Sequence, residues 1–177
     1  MRYVIIGSGV AGMAAVEAIR SVDGAGEVVM VSEDPHGYYS RPGLAYFLTG
    51  ELPDKALYLR SREDARKLKL TFLNARVTRI LRTERALELD GGKSRLAYDK
   101  LLIAVGAQAM PLQVPGANLQ GVVKLDHMND ARSILNLAKR GRTAVVVGGG
   151  ITALELTEGL LARGMKVIYL LRGDRYW

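Results

Sequence analysis

Apolar residues come in short dense runs separated by glycine, and the runs alternate with longer amphipathic stretches. Arg2–Ile6 is a β-branched run, the pattern of a strand buried on both faces. Glycines follow at positions 7, 9 and 12. Ala11–Val22 then carries small and apolar residues on one face, which predicts a helix. The turn-forming Asp23–Gly26 ends it, and Glu27–Ser32 is a second buried run. Strand, glycine turn, helix and strand make a βαβ unit of a parallel sheet. The pattern returns near the other end. Thr143–Val147 predicts a strand, Thr152–Arg163 a helix stopped by Gly164, and Lys166–Leu171 another strand.

Between the two units the period changes. Residues 34–60 are rich in Pro, Gly and Tyr without a steady period, so they read as a functional loop with short helical turns. Ser61 and Asp64 have capping-box spacing ahead of a short helix, Arg62–Leu68. From Leu70 to Val105 the pattern is short strands, with Asp90-Gly91-Gly92 as a hairpin turn and Leu101–Val105 as a buried strand. Pro111–Gly116 reads as a linker. Ala131, Ile134, Leu135 and Ala138 have helical spacing, closed by Gly141. The fold class expected is α/β: a Rossmann-like domain with a β-meander over 1–115, then an incomplete second Rossmann-like unit over 116–177.

Composition narrows the chemistry. The 177 residues contain no cysteine and two histidines, His36 and His127. A disulfide framework, a thiolate metal site, a redox dithiol and a histidine-rich metal cluster are thereby excluded within them, and no metal ligand set is assigned. No apolar run has the length of a membrane helix, and the N-terminal run is too short for a signal peptide. A cytoplasmic protein without a membrane partner is expected. The net charge of +7 is spread thinly among acidic residues. It forms no aromatic-basic stripe of the kind that binds nucleic acid.

The two glycine turns carry the chemistry. A glycine at position 7 permits a tight strand-to-helix turn, one at 9 lets the backbone approach a pyrophosphate, and one at 12 lets the helix pack on the strand. Ser8, Val10 and Ala11 complete the turn. Phosphates there meet free N–H groups and the positive end of the helix dipole. Glu33 follows the second strand, where a carboxylate can accept both hydroxyls of an adenosine ribose; Asp34 could serve instead. The second turn has Gly148 and Gly150, with Ile151 and Thr152 opening the helix and Ala153 as the third small residue. Glu155 suits either a bond at the nucleotide site or a solvated surface. After the last strand an acid would favour NADH. The chain instead has Leu171-Arg172, and a guanidinium there suits the 2′-phosphate of NADPH. A surface role for Arg172 leaves NADH in place.

In this order, GSGVAG, the acid, YYSRPGLAYFLTGE, ARVTRI, YDKLLIAVGA and VVVGGGITALE resemble the two-dinucleotide-binding flavoproteins. Within them the chain is similar to FAD-dependent pyridine nucleotide oxidoreductases of the rubredoxin reductase, ferredoxin reductase and nitrite reductase flavin-subunit type. The resemblance implies FAD on Gly7, Gly9, Gly12 and Glu33, and NADPH or NADH on Gly148, Gly150 and Glu155. It implies that Arg41, next to Pro42, lies along the FAD phosphates and ribityl chain. It implies that the backbone at Val77 holds adenine, and that Ala104-Val105-Gly106 correspond to the segment leaving the FAD domain, with Val105 in place of the usual threonine. Many relatives have redox cysteines near position 40, where this chain has Ser40. Electrons would then pass from flavin to an unidentified outside acceptor without a protein disulfide. Tyr46 stands where ferredoxin reductases place a lysine beside the flavin, so no flavin-polarising residue is assigned. Tyr38, Tyr39 and Tyr46 fit either a wall for the isoalloxazine or plain packing. The flavin does the chemistry, so no catalytic side chain is named.

The second βαβ unit has two strands, which leaves Val145, Val147, Ile168 and Leu170 in need of partners. The expectation is a chain with a missing C-terminal part or one that associates, as a homo-oligomer or as a nucleotide-binding subunit completed by another chain.

Overall fold

A computed structural model describes residues 1–60, 62–110, 112–171 and 173–176. The chain forms two compact units: Met1–Tyr39 with Tyr58–Ala107, and Ser40–Leu57 with the residues from Gln108 onward.

In the first unit β1 (Arg2–Ile6), β2 (Glu27–Ser32), β3 (Leu70–Asn74) and β7 (Lys100–Ile103) form a parallel sheet in the order β3-β2-β1-β7. Ile6 pairs with Val31 on one side and Ile103 on the other. Because β1 and β2 are central, both their faces are covered, which explains their unbroken apolar runs. On one face Ile5, Val28 and Met30 pack against Met13 and Val16 of α1 (Val10–Val22). On the other, Val4, Ile6, Val29 and Val31 pack against Leu87 and Leu89. Those two leucines come from β5 (Ala86–Leu89), the middle strand of an antiparallel meander with β4 (Val77–Leu81) and β6 (Ser94–Ala97). Each such aliphatic side chain contributes about 1.5–3 kcal/mol on burial, so helix and meander are both held by the same central strands. The β5–β6 turn runs through Asp90, Gly91 and Gly92, all at positive φ (50°, 73° and 89°), which is where the DGG pattern puts a hairpin.

The second unit contains β8 (Thr143–Val147) and β9 (Lys166–Leu170), a parallel pair bridged by α5 (Ile151–Ala162). Alternation divides the pair into two faces. Val146 is buried. Val145, Val147, Ile168 and Leu170 are all about half exposed or more. The loop segment belongs to this unit as well. It forms α2 (Gly43–Thr49) and a 3-10 turn, Asp54–Leu57. A Cβ on Gly159 of α5 would lie 2.7 Å from Leu48 Cβ, so only glycine lets α2 come this close. Arg163 Nε donates to Leu48 O at 2.8 Å, and Arg132 Nη2 pairs with Asp54 Oδ2 at 2.7 Å. The latter ties the 3-10 turn to α4 (Met128–Leu137).

Candidate functional site

The first glycine turn lies at the carboxyl end of the parallel sheet, the side on which open α/β sheets bind ligands. Its three glycines differ in why they are glycine. Gly7 has φ of 109°, and a Cβ there would run into the carbonyl of Ala104, at the end of β7. Gly12 is buried in α1, where a Cβ would meet the carbonyl of Gly7. Both are explained by the protein's own backbone. Gly9 is not. Its φ of −79° suits any residue, and no described atom lies within 4 Å of where its Cβ would be. Gly9 is also the N-cap of α1, with no side-chain cap. The N–H groups of Val10, Ala11 and Gly12 have no intrahelical acceptor by helix geometry. An unfilled space thus faces uncapped donors and a helix dipole. These are the features that fit a pyrophosphate.

The second turn repeats the geometry. Gly148 has φ of 149°, and a Cβ on it would sit 3.2 Å from Ala153 Cβ. Gly150, the N-cap of α5, has φ of −93°, no side-chain cap, and no described atom within 4 Å of its Cβ position. Gly7 N donates to Val31 O at 2.8 Å, and Gly148 N donates to Leu170 O at 3.1 Å. In each unit the first glycine is pinned to the next strand. Ile151 and Thr152 are exposed at the start of α5, and Glu155 is half-buried one turn further on.

The two candidate ribose acids separate. The Glu33 side chain is 69% exposed, just past β2, with Oε2 3.6 Å from Arg76 Nε. Asp34 is buried. Its Oδ2 accepts Tyr39 Oη at 3.0 Å and its Oδ1 accepts the His36 N–H at 2.9 Å. Ser8 is buried too, its Oγ 3.1 Å from both Ser32 Oγ and Gly37 O, so its hydroxyl is spent inside the protein. Tyr39 is buried with Asp34, Tyr38 packs beside the α1 face of the sheet, and Tyr46 is exposed on α2. Tyr39 thereby acts as packing.

The structure brings Gly7, Ser8, Gly9, Val10, Ala11, Gly12, Glu33, Ala104, Val105 and Gly106 to the carboxyl edge of one sheet. Val77 opens β4, two residues after Ala75 N donates to Ser32 O. Arg41 and Pro42 precede α2 in the second unit, where Ser40 Oγ accepts the Gly43 N–H at 3.1 Å. The N-cap position itself is Pro42, so Ser40 engages the first residue of α2 from two positions further back. Arg172 lies outside the described residues. Sequence reading assigned no role to Arg76, although it lies in the ARVTRI segment; its nearness to Glu33 becomes visible only when β3 is placed beside β2.

These features define an α/β protein with two dinucleotide-type glycine turns. The chain belongs to the pyridine nucleotide-disulphide oxidoreductase family, which matches residues 1–177. Members of that family bind FAD and NADH or NADPH. The chain is 34% identical over 178 residues to rhodocoxin reductase from Rhodococcus erythropolis, covering 99% of this chain and 41% of that protein. It superposes on the NAD-dependent persulfide reductase from A. fulgidus with a TM-score of 0.90 and 30% identity, covering 99% of this chain and 34% of that one. A ferredoxin reductase from Rhodopseudomonas palustris gives 0.91 and 25%, covering 99% and 43%. The chain therefore spans less than half the length of each. No helix among the described residues is long and apolar enough to cross a membrane.

Proposed function

We propose that the chain holds FAD on its first glycine turn and NADH or NADPH on its second, as part of an oxidoreductase that moves a hydride from the nicotinamide to the flavin. Electrons then go to an external acceptor without a redox disulfide in the loop near position 40, where Ser40 stands. The flavin supplies the hydride and electron chemistry when bound. The chain's own residues bind and orient. The N–H groups at Val10, Ala11 and Gly12 meet the pyrophosphate, and the Glu33 carboxylate accepts the adenosine ribose hydroxyls. Asp34, already engaged by Tyr39, plays no part in that contact. Ile151, Thr152 and the uncapped start of α5 meet the second pyrophosphate.

One observation carries this reading. Gly9 and Gly150 are glycines that neither φ nor packing among the described residues requires. An outside group approaching the backbone supplies the missing reason. The relatives named for rhodocoxin and ferredoxin support a protein of that kind as acceptor, and the persulfide reductase supports a persulfide instead. The test is flavin absorbance of the purified chain with added FAD, followed by anaerobic NADH or NADPH. Bound flavin that bleaches supports both turns. Bound flavin that stays yellow leaves a nucleotide-binding module, and failure to take up FAD overturns the reading.

A further inference from the structure

We propose that Arg76 is a positioning residue for the adenosine half of the cofactor, acting through Glu33. This rests on the reading of the first glycine turn as an FAD site. Strand order puts the carboxyl ends of β3, β2 and β1 side by side. Arg76 follows β3, Glu33 follows β2, and the glycine turn follows β1. A dinucleotide with its pyrophosphate on the turn therefore runs its ribose toward Glu33 and its adenine toward Arg76.

The position of Arg76 is built into the fold. Its N–H donates to Asp90 Oδ1 at 2.9 Å, and Asp90 N donates back to Arg76 O at 2.8 Å. Asp90 is itself held at φ of 50° in the hairpin turn. On the preceding residues, Asn74 Nδ2 and Ala75 N both donate to Ser32 O, at 2.8 and 3.1 Å. Arg76 and Glu33 are thus fixed on two backbones that are bonded to each other. The side chains remain 72% and 69% exposed. An ion pair that wet contributes little to folding, so its placement calls for another reason. A guanidinium 3.6 Å from Oε2 attracts the carboxylate without occupying either oxygen as a hydrogen-bond acceptor, so both remain able to accept the ribose hydroxyls. It also offsets the negative charge that would otherwise face the nearby pyrophosphate.

The test is titration of the full chain with FAD, ADP and FMN, comparing wild type with Arg76→Ala, Arg76→Lys, Glu33→Gln and the Glu33→Gln/Arg76→Ala double variant. ADP carries the adenosine half alone and FMN lacks it. Arg76→Ala is expected to weaken FAD and ADP by about fivefold, to leave FMN unchanged, and to be partly rescued by lysine. The double variant should lose no more than Glu33→Gln does alone, because Arg76 acts through Glu33. Melting temperatures of the apo chains should match, which a merely structural role for Arg76 would not allow. Unchanged FAD and ADP affinity in Arg76→Ala, or losses that simply add in the double variant, would overturn the proposal while sparing the FAD site. A wild-type chain that takes up neither FAD nor ADP overturns the FAD site itself, and this proposal with it.

Discussion

At the scale of single residues, the glycines of the first turn split into two kinds, and the split is measurable. Gly7 sits at φ of 109° against the Ala104 carbonyl. Gly7→Ala places a Cβ in a left-handed conformation and into a carbonyl oxygen. Strain of that kind costs on the order of 1–3 kcal/mol before the clash is added. Gly9 at φ of −79° has free space instead. Gly9→Ala is expected to change apo stability by less than about 1 kcal/mol, because the chain entropy that alanine saves is offset by its poor fit at an N-cap. The same methyl occupies the pyrophosphate approach, so FAD affinity should drop by about tenfold or more, ~1.4 kcal/mol. Denaturant melts paired with FAD titration check both effects. A Gly9→Ala chain that melts as low as Gly7→Ala and binds FAD normally would contradict the account.

At the scale of elements, the turn from α1 to β2 shows how one carboxylate organises a connection. Asp23 is the C-cap of α1. Its Oδ1 accepts the N–H groups of Ala25 and Gly26 at 3.0 and 2.7 Å, and its Oδ2 accepts Tyr3 Oη at 3.0 Å. The bonds from Gly26 and Ala25, then that from Tyr3, hold the Asp23 carboxyl below the usual carboxylate range. A folded pKa below the unfolded value means stability present above pH ~4 and lost as pH falls through the lower folded value. Asp23→Asn should therefore melt below wild type at pH 7, with the gap closing as pH falls below about 4. Thermal melts across that range test it. Equal gaps at both ends would mean the carboxylate charge is irrelevant.

Much of the architecture is legible from pattern alone. The two βαβ units, the buried runs of β1 and β2 and the hairpin at Asp90–Gly92 follow from periodicity and turn chemistry. The short helix expected after Ser61 is present as α3 (Arg62–Lys67), while Ser61 of the expected Ser61–Asp64 box lies outside the described residues. Two features are not legible, for physical reasons. α4 begins at Met128 with a capping box between His127 and Asp130, and histidine is a weak signal for an N-cap. Ser40–Leu57 is grouped with the later chain through Gly159, Arg163 and Arg132, contacts between residues far apart in sequence that no local period encodes. The proposed site behaves alike: the glycine turns are visible in sequence, whereas the proposed preference for Glu33 over Asp34 rests on the Tyr39 hydrogen bond.

At the scale of the whole molecule, the β8–β9 pair leaves a row of aliphatic side chains toward solvent. Register sets Val145 opposite Ile168 and Val147 opposite Leu170, and the four are 56%, 52%, 63% and 48% exposed. Side chains at i and i+2 on both strands share one face, so the four form one contiguous patch rather than scattered exposure. A contiguous apolar patch is an interaction and aggregation surface. Purified chain is expected to bind a hydrophobic dye and to associate as concentration rises. The changes Val145→Thr and Ile168→Thr keep β-branching and strand propensity while adding a hydroxyl to the exposed face. Together they should lower dye fluorescence and shift sedimentation toward the monomer, with little loss of melting temperature because neither side chain is buried. The matched control is Val146→Thr on the opposite, covered face. There the hydroxyl enters packed surroundings, so stability should fall while the patch remains. If the exposed-face variant melts as low as the control, the face is covered in solution and the row of four is part of a core.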